Sequence, residues 1–131
     1  LRGVRSLYAR APWTSGLSPV LTRLGWQAYA TETVFLAHDL RGARRDALRP
    51  RPMRPGDTWA VHQLYAAAVP HAVQQAEAFT SRRWESAARG SRARVCGLLF
   101  EDGWQTVGFA RVVSGAGGRA LDLLVHPERR D

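Results

Sequence analysis

The chain has 131 residues, 45% hydrophobic and 23% charged, with 12 Gly and 7 Pro, an ordinary globular composition that excludes disordered, fibrous and collagen-like classes. Its formal charge is +8, but all 19 basic residues are Arg and the chain holds no Ile and no Asn; GC-rich codons produce that bias, so the charge argues only weakly for nucleic acid, and no such partner is expected. One cysteine, Cys96, excludes an internal disulfide, scattered His38, His62, His71 and His126 exclude zinc spacing, and no apolar run nears the roughly 20 residues of a membrane helix.

Val4 to Ala9 reads as a short strand. Ser15 or Ser18 can cap a helix with Pro19 in its first turn, where a missing donor is harmless, and Gly25 suits a left-handed cap at its end. Trp26 to His38 carries Trp26, Tyr29, Thr31, Thr33, Val34 and Phe35, a β-branched and aromatic enrichment that predicts one or two strands. This strand, helix, strand piece is about 40 residues, too short to bury a sufficient core alone.

Arg41 to Pro55 mixes Pro, Gly and like charges without apolar periodicity, the composition of an extended connector. Six Arg against Asp46 between positions 41 and 54 give this stretch a net +5. The chain is therefore divided into 1–40, a linker at 41–50, and 51–131.

Downstream, Asp57 caps a helix in which Val61, Leu64, Tyr65 and Ala68 recur at i, i+3, i+4 and i+7. Pro70 stops it and starts another, and Val73, Ala76, Thr80 and Trp84 carry a helical spacing to about Ala88, with a break near Thr80-Ser81. The period then changes. Arg94 to Phe100 is an apolar run, Glu101-Asp102-Gly103 signals a hairpin, Trp104 to Val113 is a second strand, and Gly115 to Gly118 turns the chain again. From Arg119 to His126, Leu121, Leu123 and Val125 alternate against Asp122, Leu124 and His126. The predicted order is a short strand, two or three helices and three meandering strands.

That order, with Met53-Arg54-Pro55-Gly56-Asp57 opening a helix that holds Leu64-Tyr65, and with Leu121 to Arg130 at the end, resembles the first half of a domain of the GNAT acetyltransferase superfamily. The resemblance implies an α/β (α+β) fold, a mixed, mostly antiparallel sheet flanked by helices and here incomplete. It also implies transfer of an acetyl group from acetyl-CoA to an amine. In that family the fourth strand runs to Val-x-Pro and into a glycine-bearing loop at a helix start; Val125 and Pro127 match, Arg130 stands where the loop begins, and the chain stops before the glycines. Such a loop cradles pyrophosphate on successive backbone N–H groups. By the resemblance, Leu123, Leu124 and Val125 are backbone contacts of the pantetheine arm, and Arg130 belongs to the pyrophosphate loop.

The upstream piece resembles the last third of another such domain, through Val20-Leu21-Thr22-Arg23-Leu24-Gly25-Trp26 followed by a strand pair. Many members carry a Tyr general acid where this chain has Leu21, which has no proton to give. The expectation is a cytoplasmic fragment of a tandem parent, without a membrane partner and inactive as it stands. The alternative is a GNAT-fold module that binds without catalysing.

Two carboxylates are candidates for chemistry. Asp122, near the end of the last strand, fits a general base for the amine proton, or else a solvated or helix-facing carboxylate. Glu77, toward the apolar side of its helix, fits contact with a cationic acceptor, or else a surface pair with Arg82 or Arg83. His126 is a polar strand terminus that could reach cofactor or substrate. Trp59, Tyr65, Phe79, Trp84 and Trp104 fit a core more readily than an acceptor pocket. Cys96 is expected packed and inert, and Gly115, Gly117 and Gly118 are turn residues.

Overall fold

A computed structural model describes residues 7–36, 49–89, 95–116 and 118–129. The chain forms two compact units, Leu1–Val34 and Phe35–Asp131. Among the described residues, no helix is long and apolar enough to cross a membrane.

In the first unit, the backbone N–H and hydroxyl of Ser15 both donate to the Pro12 carbonyl, at 3.0 and 2.7 Å, and Ser15 Oγ accepts from Leu17 N–H at 3.4 Å. Helix α1 follows at Leu17–Arg23, with Pro19 in its first turn. It ends as its composition predicts. Gly25 takes φ +84°, its N–H donates to Thr22 and the Trp26 N–H donates to Leu21, both at 3.0 Å, the paired Schellman bonds that satisfy the last carbonyls. Tyr8 and Tyr29 meet edge to face at 6.1 Å, and Arg10 pairs with Glu32 at 3.1 Å.

The strands expected at Val4–Ala9 and Trp26–His38 are not formed where the structure describes them; residues 7–9 and 26–36 lie in no ladder. β-Branched and aromatic composition signals fitness for a pleated, half-buried surface, not an intrinsic backbone state. Val34, Phe35 and Leu36 are 88%, 90% and 80% exposed. Residues 4–6 and 37–38 lie outside the described residues, as does most of the proposed linker, 41–48.

Among its described residues, the second unit is a mixed α+β arrangement with four antiparallel strands in the order β1-β2-β3-β4. β1 is Arg51–Pro52, β2 Val95–Asp102, β3 Gln105–Gly115 and β4 Gly118–Val125. The short strand predicted to open this piece is β1, despite the linker composition of residues 51–55: it pairs Arg51 with Leu99 and Pro52 with Leu98, Met53 is 3% exposed, and Pro55–Asp57 form a 3₁₀ turn.

Helix α2, Thr58–Ala68, buries Val61, Leu64 and Tyr65 of the predicted stripe and leaves its fourth member, Ala68, half-buried. Its end is sealed by Gln74, whose side-chain amide donates to the carbonyls of Ala66 and Val69 at 2.9 and 2.7 Å, carbonyls a helix terminus leaves orphaned. Gln74 lies on α3, His71–Glu77, which Pro70 opens and Ala78 closes at φ +47°. Beyond the break, Ser81–Arg89 is 3₁₀ rather than α. Three residues per turn put Trp84 and Ala87 on one line, and both are buried.

These residues, with Met53, Val61, Leu64, Tyr65, Leu99 and Phe109, make one core. The register carries Leu99, Phe109 and Leu124 across one sheet face, where Leu124 packs against the core. On the other face Leu121, Leu123 and Val125 are 57%, 59% and 37% exposed.

The β2–β3 hairpin closes through Gly103-Trp104. Positive φ at Gly103 alone, +61°, is the signature of a type II′ turn matched to strand twist. Three residues on, the register slips: Phe100 faces Gly108 but Glu101 faces Thr106, so Val107 is the extra residue of a bulge.

Gly97 lies where the layers come closest. A Cβ there would sit 3.0 Å from Phe109 and 3.1 Å from both Ala87 and Met53, whereas one at Gly56 would meet open space. Gly97→Ala is therefore expected to lower stability by roughly 1–3 kcal/mol, and Gly56→Ala to change it by no more than about 0.5 kcal/mol. Urea unfolding of the two variants checks this; equal midpoints would refute the close packing.

Candidate functional site

Val125, on which the sequence argument leans most, ends β4 opposite Gly108. The next N–H, of His126, donates to the Val107 carbonyl at 2.9 Å. In an antiparallel ladder that bond makes Gly108–Val125 a non-hydrogen-bonded pair, so both main-chain groups of Val125 point away from β3. The same parity turns the main-chain groups of Leu121 and Leu123 outward and those of Leu124 into the ladder. The three predicted backbone contacts thus divide: Leu123 and Val125 present N–H and C=O at the sheet edge, and Leu124 presents neither there.

The bulge residue Val107 therefore anchors the end of β4. The chain then turns through a 3₁₀ segment, Pro127–Arg129, in which Arg129 N–H donates to the His126 carbonyl at 2.9 Å and the Arg129 guanidinium pairs with Asp102. His126 Nδ1 accepts a long, 3.4 Å bond from Glu128 N–H. Arg130 lies outside the described residues.

Asp122 shares the sheet face of Leu124, opposite Arg111 on β3. Its Oδ2 accepts from Arg111 Nε at 2.8 Å and also from a terminal guanidinium nitrogen. Glu77 is at the last position of α3, where Oε2 accepts from the Tyr65 hydroxyl at 2.9 Å. The two candidate carboxylates belong to different elements, each engaged by a neighbour.

The aromatic residues divide as well. Tyr65 and Trp84 are core, with Phe79 packed against it, while Trp59 and Trp104 are 60% and 96% exposed. Tyr65 sits between Trp84, at 5.6 Å and 54°, and His62, nearly parallel at 6.1 Å. Arg83 lies 4.1 Å over the Phe79 ring, a cation–π contact. Among the described residues, Trp84 Nε1 and His62 Nδ1 are buried and find no hydrogen-bond partner. An open hollow of about 340 Å³, lined by Val113, Gly115, Gly118, Arg119 and Ala120, lies at the opposite end of β4 from Val125. Among the described residues, no three His, Cys, Asp or Glu side chains gather as metal ligands.

The strongest electrostatic feature is one the sequence reading missed. Arg51 donates to both oxygens of Asp57, at 2.7 and 3.0 Å, and to both of Glu101, at 2.8 and 2.6 Å. Asp57 Oδ2 accepts in addition from Arg54 N–H at 2.6 Å. Asp57 precedes α2, as expected of a cap, yet its side chain makes no bond to that helix; it serves β1 and the 3₁₀ turn instead. A paired fork of this kind is among the stronger hydrogen-bond geometries. The available signal was an acidic residue six positions after Arg51 and another at the hairpin.

Comparison with known families, with curated proteins and with solved structures finds no match to this chain.

Hydrogen bonds from Arg51 are the main cause holding the Asp57 and Glu101 carboxyls below their ordinary values of 3.8 and 4.5, and the same bonds raise Arg51 further above its own. A carboxyl depressed in the folded state stabilises the fold above its unfolded pKa, and that contribution is lost as pH falls through the folded value. The clamp should therefore be at full strength above about pH 5 and weaken steadily below about pH 4. Arg51→Met removes it, so its urea midpoint should lie below that of the parent chain near neutrality, with the gap closing in acid. A gap that stays constant with pH would refute the assignment. Tyr65→Phe, which deletes one donor to a carboxylate, should cost about 1–3 kcal/mol in the same measurement.

Proposed function

We propose that residues 51–131 form the front part of a GNAT-like N-acetyltransferase domain, which uses acetyl-CoA as co-substrate and an amine as acceptor. The observation that carries this reading is the end of β4. A strand edge turns the main-chain groups of Leu123 and Val125 outward, and directly after it Val125-His126-Pro127 leads into a pinned turn. An extended amide chain such as pantetheine is bound by such an edge through the same N–H and C=O groups that pair strands.

The chemistry follows from that placement. A neutral amine nitrogen attacks the thioester carbonyl carbon, the C–N bond forms, the C–S bond breaks with its electron pair leaving on the CoA thiolate, and the acceptor nitrogen loses one proton. An outward N–H of β4 donates to the carbonyl oxygen as negative charge develops on it. Asp122 and Glu77 are the chain's candidates to receive the proton. Asp122 Oδ2 already accepts two guanidinium hydrogens, so protonation at that oxygen must displace them. Glu77 Oε2 accepts from the Tyr65 hydroxyl, a bond that protonation at that oxygen would likewise disturb.

A second reading, a module of the same fold that binds without turning over, is favoured by the neighbours that both carboxylates already hold. Leu21, with no proton to donate, favours it for residues 1–40 as well.

The test is acetyl-CoA added to a chain extended beyond Asp131 by the residues that follow it in the source gene, so that the phosphate-binding loop is included, read by thermal unfolding and by amide hydrogen exchange. Binding to the folded state alone should stabilise it by roughly 2.7 kcal/mol at a hundredfold excess over Kd, with slowed exchange at Leu123 and Val125 and little change at Leu124. CoA release on adding amines, lost in Glu77→Gln or Asp122→Asn with binding intact, supports catalysis. Binding without release supports the non-catalytic module. No stabilisation and no protection along β4 would overturn the proposal.

A further inference from the structure

We draw no further inference here: the strongest candidate, the outward apolar face of the sheet at Leu121, Leu123 and Val125, is an unpartnered surface on the strand already proposed to bind acetyl-CoA, and nothing in the structure shows what covers it.

Discussion

Two ladder residues are few to hold a strand against a sheet, and β1 is secured at both ends: Arg51 is clamped from two sides, and Met53, buried in the core, donates its N–H to the Gly97 carbonyl at 2.9 Å. Its guanidinium joins Glu101, at the hairpin end of β2, to Asp57, at the start of α2. Asp57 in turn fixes Arg54 N–H, which sets the 3₁₀ turn and the direction in which α2 leaves it. The buried stripe of α2 can then meet Leu99 and Phe109 across the core. The groups are partly exposed, so the clamp's net energy is modest; its consequence is geometric. It decides where apolar residues worth far more free energy are placed.

The same logic of placement governs the sheet. Gly97 lets Met53 and Ala87 approach one face closely, and the 3₁₀ period delivers Trp84 and Ala87 together on the same side. The bulge at Val107 then shifts the end of the β2–β3 hairpin relative to the rest of the ladder and offers its carbonyl to His126. Bulges commonly re-aim or terminate a strand. Here the bulge residue's carbonyl bonds the residue that follows β4, three strands from β1 in the sheet.

The legible and illegible parts of this fold differ by physical cause. The α2 stripe, Pro70, the break near Thr80, the hairpin at Gly103 and the three meandering strands could be read because each is a local signal, carried by a few adjacent residues. The α1 cap at Gly25 is of the same kind. Strands at residues 7–9 and 26–36 were misread because a strand needs a partner, and propensity carries no information about partners. The short strand expected to open the downstream piece is β1, although Pro and Arg give residues 51–55 a connector's composition; what that composition does not carry is the partners, Leu98, Leu99 and Glu101, about fifty positions away. At the candidate site, β4 and its alternation were legible. Which of its residues turn main-chain groups outward was not, because that parity depends on the register of β4 against β3, which no local signal carries.

Charge shows how local and distant information combine. The sequence presents Arg as an excess, yet Arg10, Arg51, Arg111 and Arg129 each meet a carboxylate, and Arg83 lies over an aromatic ring. An Arg bound in this way serves as a cross-link between elements: the Arg111–Asp122 pair ties β3 to β4, and the Arg129–Asp102 pair ties the turn after β4 to the β2 hairpin. Both pairs flank the outward edge of β4, one from within the ladder and one beyond its end. A bound chain can form strand-like hydrogen bonds only to an edge already held straight, since the ordering cost then falls before binding rather than during it. On the proposed reading, the cross-links would hold that edge ready for a bound chain whether or not a proton is transferred there. Catalysis would further require that Asp122 or Glu77 exchange its present partner for the acceptor amine.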